Sequence, residues 1–222
     1  VAIRADGGVP RRRAWQAEVA RHRADYRARL TYPAVAGLAP DRVISAIQDR
    51  VAAMARLTVD AGAHMFPTLA RWQAEAPLGV LKSNGLSTMG YAVPAAIASA
   101  LVDTARPVVA VTGDGGMMMS LAELATARER GLDILIVVMN DAVLSLIDVK
   151  QQKQQRPRAG VAGQPVDFAA LAAAFGLPAA RVETMDGLAA ALDRFDTVAG
   201  PRLLDVRIDP SGYGAMLDAM RG

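Results

Sequence analysis

The sequence has no cysteine, and its 222 residues include only two histidines, His22 and His64. Without cysteine the chain can form no disulfide, no thiolate metal site and no cysteine nucleophile. Two histidines leave little material for a histidine-rich metal centre. Disulfide-stabilised folds, cysteine-based zinc sites and thiol enzymes are therefore excluded as classes.

Long hydrophobic runs are also lacking. No stretch of about 18 apolar residues is present to form a transmembrane helix, and no signal peptide opens the chain. We therefore expect a cytoplasmic protein without a membrane partner. The first residue is Val1 rather than methionine, and residues 1–5 have the pattern of a strand end. This start predicts a fragment, a processed product or part of a longer chain.

Lysine is scarce, and arginine supplies nearly all of the positive charge in a chain of net charge +3. An arginine-rich segment near the start reads either as a solvated helix face or as a nucleic-acid surface. It contains Arg11, Arg12, Arg13, Arg21, Arg23, Arg27 and Arg29. Trp15, Val19, Tyr26 and Leu30 form one stripe among these arginines, as in an amphipathic helix. The stripe favours the solvated face, and we expect no nucleic-acid partner.

The remaining composition is globular, with 52% hydrophobic and 21% charged residues. At roughly 150 residues per domain, the length corresponds to about one and a half domains. From Asp41 onward short strands alternate with helices, and six strands fit between residues 56 and 208. This alternation predicts an α/β fold with a parallel six-stranded sheet and helices on both faces.

Ligands of such sheets bind beyond the carboxyl ends of the strands, where three junctions stand out. Gly113-Asp114-Gly115-Gly116 follows a β-branched run, and its glycines allow close approach to a ligand while the next helix offers N–H groups to a phosphate. Asn140 follows the next such run, 26 positions after Asp114, the length of one helix plus one strand. The third junction is the glycine-containing loop 83–90.

The first two junctions predict a cation site. The Asp114 carboxylate and the Asn140 amide oxygen would converge on one ion, with phosphate oxygens and water completing an octahedron, as Mg²⁺ prefers. For Gly-Asp-Gly by itself, an ordinary strand-to-turn element is the alternative. Agreement between the glycines, the carboxylate and Asn140 in position and spacing favours the cation site.

These residues resemble a known cofactor motif. Gly113-Asp114-Gly115, with Asn140 25 residues later, resembles the thiamine diphosphate motif, in which GDG precedes an asparagine by some two dozen residues. Residues 85–96 resemble the GLGTMGFGLPAA stretch of acetolactate synthases, and residues 121–127 resemble their LQELATA helix. The resemblance runs from about Asp41 to Asp209. It identifies the C-terminal, diphosphate-binding domain of the acetolactate synthase-like enzymes.

The resemblance implies a domain division and a metal site. Residues 1–40 would be a remnant of the central domain plus a helical linker, and residues 41–222 would be the thiamine diphosphate-binding domain. The side chains of Asp114 and Asn140 and the carbonyl of Ala142 would bind Mg²⁺. The backbone N–H groups of Gly115 and Gly116, after Gly113, would bind the diphosphate.

Two further segments carry implied cofactor contacts. Gly62 and His64 match a family loop that touches the diphosphate, and the Ser87 carbonyl would accept a hydrogen bond from the aminopyrimidine. Met89 matches the bulky residue that wedges between the two cofactor rings. Core packing is the alternative for His64 and Met89. Lys150 and Gln151, past the metal loop, would line either a substrate channel or a solvated helix face, and the solvated face is favoured.

The sequence departs from the family pattern at three positions. Met139 stands where the family often has a first asparagine, a position that belongs to the strand end. Gly116 replaces a common serine and removes a hydroxyl donor. Ala63 replaces a common glutamine, which removes a diphosphate or substrate contact and bears on acetolactate synthesis more than on cofactor binding.

The resemblance implies a thiamine diphosphate-dependent transferase or lyase that decarboxylates 2-oxo acids, commonly pyruvate, and forms carbon–carbon bonds. It also implies a homodimer or homotetramer. The activating glutamate lies on a pyrimidine-binding domain or a neighbouring subunit in this family, and Glu75, Glu123 and Glu183 match no such motif. We therefore expect no catalytic residue in this chain and no turnover by it alone. The alternative is a non-catalytic or split-enzyme subunit; a simple nucleotide-binding domain would need a GxGxxG turn, which is absent.

Overall fold

A computed structural model describes residues 9–52 and 54–221 of the chain. The strand predicted over residues 1–5 lies outside this range. The described strands coincide with the apolar runs of the sequence. They are β1 (Arg56–Val59), β2 (Val80–Lys82), β3 (Val108–Gly113), β4 (Ile134–Asn140), β5 (Ala179–Val182) and β6 (Arg202–Arg207).

Helices lie before, between and after these strands. They are α1 (Val9–Arg29), α2 (Pro40–Gln48), α3 (Met65–Arg71), α4 (Ala92–Val102), α5 (Asp114–Ser120), α6 (Glu123–Glu129), α7 (Ser145–Lys153), α8 (Phe168–Ala174), α9 (Met185–Phe195) and α10 (Tyr213–Arg221). A 3-10 turn (Pro210–Gly212) leads into α10. None of the described helices combines the length and apolar character that crossing a membrane would require.

The six strands pair in parallel in the order β2-β1-β3-β4-β6-β5. Side chains on β3 and β4 alternate between two hydrophobic cores because successive residues of a strand point to opposite faces. Val109 and Val137 belong to the core shared with α2, α3, α9 and α10, whereas Ala110 and Ile136 belong to the core shared with α4, α5, α6 and α8. The predicted α/β class, parallel six-stranded sheet and helices on both faces are therefore confirmed.

The pairing of β3 with β4 sets the geometry at the carboxyl ends of the strands. Gly113 is the register partner of Met139, so the next residues, Asp114 and Asn140, leave the sheet side by side. Both strands are buried along their whole length. The predicted convergence of these two junctions at one sheet edge is therefore present in the backbone.

The helix after β3 differs from its prediction. The sequence predicts one helix over 118–130, but α5 begins at Asp114 and a turn at residues 121–122 separates it from α6. The buried Ser120 hydroxyl donates to the carbonyl of Gly116 at 3.1 Å. Serine hydroxyls that bond the preceding helical turn compete with the backbone ladder and bend helices.

The two ends of the described chain also differ from expectation. Within the stripe predicted on α1, Leu30 is buried, but Trp15 is 63% exposed and Tyr26 is 44% exposed. Helix α10 has no counterpart in the sequence prediction, because Gly212 and Gly214 lower the helix propensity around Tyr213. Burial of Tyr213 in the core offsets that cost.

Truncation of a core valine tests this packing. Val137 lies in the middle of β4 and is fully buried. Val137→Ala should lower the free energy of unfolding by roughly 2 kcal/mol, from lost apolar burial plus the cavity that remains. Val102→Ala, at an 87% exposed site, should change it by less than about 0.5 kcal/mol. Urea denaturation followed by circular dichroism measures both, and equal losses would contradict the assigned core.

Candidate functional site

A cavity of about 260 Å³ opens at the carboxyl ends of the strands. The loops after β1, β2, β3 and β4 line it, together with the first residue of α10. Eight of the ten predicted site residues lie in its wall: Gly62, His64, Ser87, Met89, Gly113, Asp114, Gly115 and Gly116. Ala142 lines an adjoining cavity of about 220 Å³ that shares Asp114 and Gly115. Asn140 is buried at the end of β4.

The Asn140 side chain is held by its nitrogen. Its Nδ2 donates to the carbonyl of Val166 at 3.0 Å and to Oδ1 of Asp205 at 2.8 Å. The Oδ1 atom of Asn140 is buried and has no hydrogen-bond partner among the described residues. A buried polar oxygen without a donor is costly, so this atom is suited to accept a cation or a donor from a ligand.

Asp114 and Ala142 supply two more oxygen donors nearby. Burial raises the pKa of the Asp114 carboxyl, although the backbone N–H groups of Gly115 and Ala142 and the charge of Arg207 oppose the shift. Ala142 has φ +57°, an uncommon conformation for a residue with a side chain. Its carbonyl accepts the N–H of Gly163 at 2.8 Å and retains a second lone pair.

A second carboxyl lies close to Asp114. Burial, together with the neighbouring charge of Asp114, raises the pKa of Asp141 to about 6 against the hydrogen bond from Ser145. Asp141 accepts the hydroxyl of Ser145 at 2.7 Å and the N–H of Val143 at 3.0 Å. Two half-buried carboxyls near one another favour a bound cation that would relieve their repulsion.

The glycines of this edge permit close packing around the cavity. A Cβ atom on Gly113 would lie 3.0 Å from the His64 ring, and one on Gly115 would lie 2.9 Å from the ends of Leu144 and Met89. The Gly115 N–H donates to Oδ1 of Asp114 at 2.7 Å, so the group predicted to bind diphosphate is paired with the predicted metal ligand. A ligand that used both groups would have to replace this bond.

Asp60 connects the loop after β1 with the segment before and at the start of α4 and with the end of β3, and the sequence did not predict it. Its carboxylate accepts the Thr112 hydroxyl at 2.6 Å and the N–H groups of Gly90 at 3.0 Å and Ala92 at 2.5 Å. A Cβ atom on Gly116 would lie 2.0 Å from Oδ2 of Asp60, which explains why serine would not fit there in this packing. The sequence contains a signal for Asp60, because a carboxylate directly follows β1 there, as Asp114 directly follows β3.

His64 precedes α3 and is 6% exposed, with Nε2 unpartnered among the described residues. Burial lowers the pKa of His64 to about 4 because a charged imidazole would lose its hydration. The ring is therefore neutral at pH 7. A neutral imidazole with a free ring nitrogen can donate one hydrogen bond into the cavity.

Four more side chains of the cavity wall come from the loop after β2, from α7 and from α10. Ser87 adopts φ +50°, a strained conformation that clusters at functional sites, and Met89 follows it in the same loop. Tyr213 is 1% exposed, and its hydroxyl has no partner among the described residues. Sequence reasoning missed Tyr213 because the helix that carries it was not predicted. Lys150 also lies in the cavity wall, whereas Gln151 donates to the carbonyl of Ala159, and a substrate channel at these residues stays a prediction.

The fold and the cavity define a parallel α/β domain with a ligand site at the carboxyl edge of its sheet. Residues 60–206 match the family model described as "Thiamine pyrophosphate enzyme, C-terminal TPP binding domain". The chain therefore belongs to this family, and the resemblance to acetolactate synthase-like enzymes is confirmed.

Individual relatives agree with the family match. The chain is similar to acetolactate synthase isozyme 1 large subunit of Escherichia coli, with 36% identity over 169 residues that cover 75% of this chain and 30% of the relative. The catabolic acetolactate synthase of Raoultella terrigena is 36% identical over 173 residues, covering 78% and 31%. Acetolactate synthase of Bacillus subtilis is 32% identical over 172 residues, covering 78% and 30%. The matches thus span about a third of the length of these relatives.

The buried imidazole gives a pH prediction. Because the pKa of His64 is about 4 in the folded chain and about 6.5 when unfolded, the unfolded state binds the extra proton between these values. The stability that the neutral, buried His64 contributes is present in full above pH 6.5 and is lost as the pH falls toward 4. Relative to His64→Gln, the parent should lose about 2 kcal/mol between pH 7 and pH 5. Urea denaturation of both proteins at the two pH values measures the difference, and parallel pH dependences would contradict it.

Proposed function

We propose that this chain binds thiamine diphosphate through Mg²⁺ as the cofactor-anchoring domain of an acetolactate synthase-like enzyme that acts on 2-oxo acids. The observation that carries the proposal is the unpartnered Oδ1 of Asn140, at the end of the strand that pairs with the one Asp114 follows. With the carboxyl of Asp114 and the carbonyl of Ala142 this atom would form an all-oxygen donor set, which suits Mg²⁺. No group of three or more His, Cys, Asp or Glu side chains suited to a metal exists in residues 9–52 and 54–221, so amide and carbonyl oxygens would have to contribute.

The residues of the cavity fit the rest of the cofactor. The neutral His64 would donate Nε2–H to the diphosphate, and Gly115 and Gly116 would offer backbone N–H groups to it. The Tyr213 hydroxyl, an unpartnered donor in the same wall, would take part in these contacts. Ser87 and Met89 would contact the ring portion from the loop after β2. The domain division at residues 40 and 41 belongs to the same proposal.

When bound, the cofactor would supply the electron sink for decarboxylation of a 2-oxo acid. The protein would hold it and shape the cavity around it. Lys150 brings a positive charge to the cavity wall, where it would attract the carboxylate of the substrate. The side chains of Met89 and Leu144 would exclude water from this part of the wall, since both pack at Gly115.

We further propose that the activating glutamate comes from another domain or from a neighbouring subunit of a cytoplasmic homo-oligomer. The cavity wall contains no glutamate among the described residues. Glu75 lines a separate polar cleft, Glu123 accepts the Thr126 hydroxyl within α6, and Glu183 pairs with Arg181. A split enzyme whose partner subunit carries the glutamate is supported by the same observation.

Calorimetric titration tests the cofactor site. Thiamine diphosphate should bind the chain saturably when Mg²⁺ is present and not when it is chelated. Asp114→Ala should weaken this binding by at least about tenfold, because even residues that only orient metal ligands contribute that much. Asp133→Ala is the matched control, since Asp133 is exposed and pairs with Arg202 at the opposite end of β4. Equal affinities for the parent and Asp114→Ala would refute the assignment.

Turnover tests the missing glutamate. The 222-residue chain, loaded with thiamine diphosphate and Mg²⁺, should release no carbon dioxide from pyruvate above the rate of the protein-free cofactor. The physical reason is that no glutamate of the described chain reaches the cavity. A coupled assay for carbon dioxide over several hours measures the rate. Protein-dependent decarboxylation that Asp114→Ala abolishes would show that the chain is catalytically complete.

A further inference from the structure

We infer that Asp205 is a positioning residue for the metal site: its carboxylate fixes the Asn140 amide with Oδ1 directed away from β6 and available to a cation. The inference rests on the proposed function for the identity of the cation. The orientation of the amide depends only on contacts within the described chain. Asp205 lies on β6 and is not among the residues that the sequence predicts for the site.

The orientation of the Asn140 amide follows from its two partners. Its nitrogen lies 3.0 Å from the carbonyl oxygen of Val166 and 2.8 Å from Oδ1 of Asp205. A backbone carbonyl and a carboxylate can only accept hydrogen bonds, so both require the NH₂ group on that side. Reversal of the amide would place its oxygen against two other oxygens. The Oδ1 atom is thereby forced to the opposite side, where it has no protein donor among the described residues.

Asp205 is itself held in place. It is fully buried, and its second oxygen accepts the N–H of Phe168 at 3.1 Å at the start of α8. Arg207, two residues along β6, lies 3.6 Å from the same oxygen and also donates to the carbonyl of Val166 at 2.7 Å. The guanidinium thus offsets the charge of the buried carboxylate. Both acceptors of the Asn140 amide are anchored by the same arginine.

Strand pairing explains why a residue of β6 can reach a residue of β4. Val138 is the register partner of Asp205, and Asn140 is the register partner of Arg207. Asp205 therefore lies on the neighbouring strand two residues below the level of Asn140, and on the same face of the sheet. A charged residue with 0% exposure inside a sheet is rare unless it is paired. Here its role is to satisfy two donors, one of which orients the proposed metal ligand.

The isosteric variant Asp205→Asn separates this role from simple burial. The new amide has one oxygen for two donors. The Phe168 N–H belongs to the backbone and cannot turn, so the oxygen stays at Phe168 and the NH₂ group faces Asn140. The Asn140 amide then reverses and presents NH₂ instead of oxygen to the cation. The Mg²⁺ concentration for half-maximal thiamine diphosphate binding, measured by calorimetry, should rise by about 10- to 100-fold. At saturating Mg²⁺ the affinity for the cofactor should return to within about threefold of the parent.

The control perturbs the same helix without touching Asn140. Asp167 caps α8 by accepting the N–H of Ala170 at 2.8 Å. Asp167→Ala should lower the thermal midpoint, as loss of a cap does, and leave the Mg²⁺ requirement unchanged. The contrary result is a Mg²⁺ requirement that rises equally in Asp167→Ala and Asp205→Asn as their thermal midpoints fall. That result would show that Asp205 has only a structural role and would overturn the inference.

A second measurement needs no ligand. In ¹⁵N-labelled parent protein, both side-chain N–H protons of Asn140 should exchange slowly with solvent, because both are hydrogen-bonded and buried. In Asp205→Asn at least one should lose this protection. Unchanged protection would overturn the inference even if Mg²⁺ binding is affected. If the parent itself fails to bind thiamine diphosphate, the proposed function fails, while the exchange experiment still decides the positioning role.

Discussion

The site depends on the parallel register between β3 and β4. Because Gly113 pairs with Met139, the chain leaves the sheet at Asp114 and at Asn140 in adjacent places. A slip of one residue would exchange the two faces of either strand and move its apolar side chains from one core to the other. Both strands are buried on both faces, so such a slip would disrupt both cores. The hydrophobic packing of the sheet therefore also fixes the separation of the two proposed metal ligands.

The buried polar groups at this edge divide into two kinds. Asp60 and Asp205 have their oxygens occupied by protein donors and connect loops or strands. The Asn140 oxygen, the His64 Nε2 and the Tyr213 hydroxyl have no partner within the described chain. Unsatisfied buried groups are costly and occur at sites that bind something. The satisfied carboxylates hold the framework. Of the unsatisfied groups, His64 and Tyr213 belong to the cavity wall, and Asn140 is buried at the end of β4.

The sequence predicts the fold and most of the cavity wall, because strand ends carry recognisable glycine and carboxylate patterns. It does not predict Asp205, which stands in an apolar run with no spacing signal. Its proximity to Asn140 requires β6 to lie beside β4, and the order β4-β6-β5 reverses the order of the chain. The sequence does not predict Tyr213 for a related reason. Glycines flank this residue, and its segment is helical only because Tyr213 is buried in the core. Local sequence patterns cannot predict a site residue that reaches the site only through strands or helices distant in the chain.

The ionisable groups of the cavity agree with the proposal that this domain binds a cofactor while another part of the enzyme supplies the activating group. His64 has a pKa of about 4 and stays neutral, so it is a poor acid or base near pH 7. Asp141 has a pKa of about 6, but both of its oxygens accept hydrogen bonds from its own loop. Asp114 is committed to the proposed metal. Under the proposed function, a proton donor for the cofactor would come from another domain or a neighbouring subunit and would approach through the cavity at the strand ends.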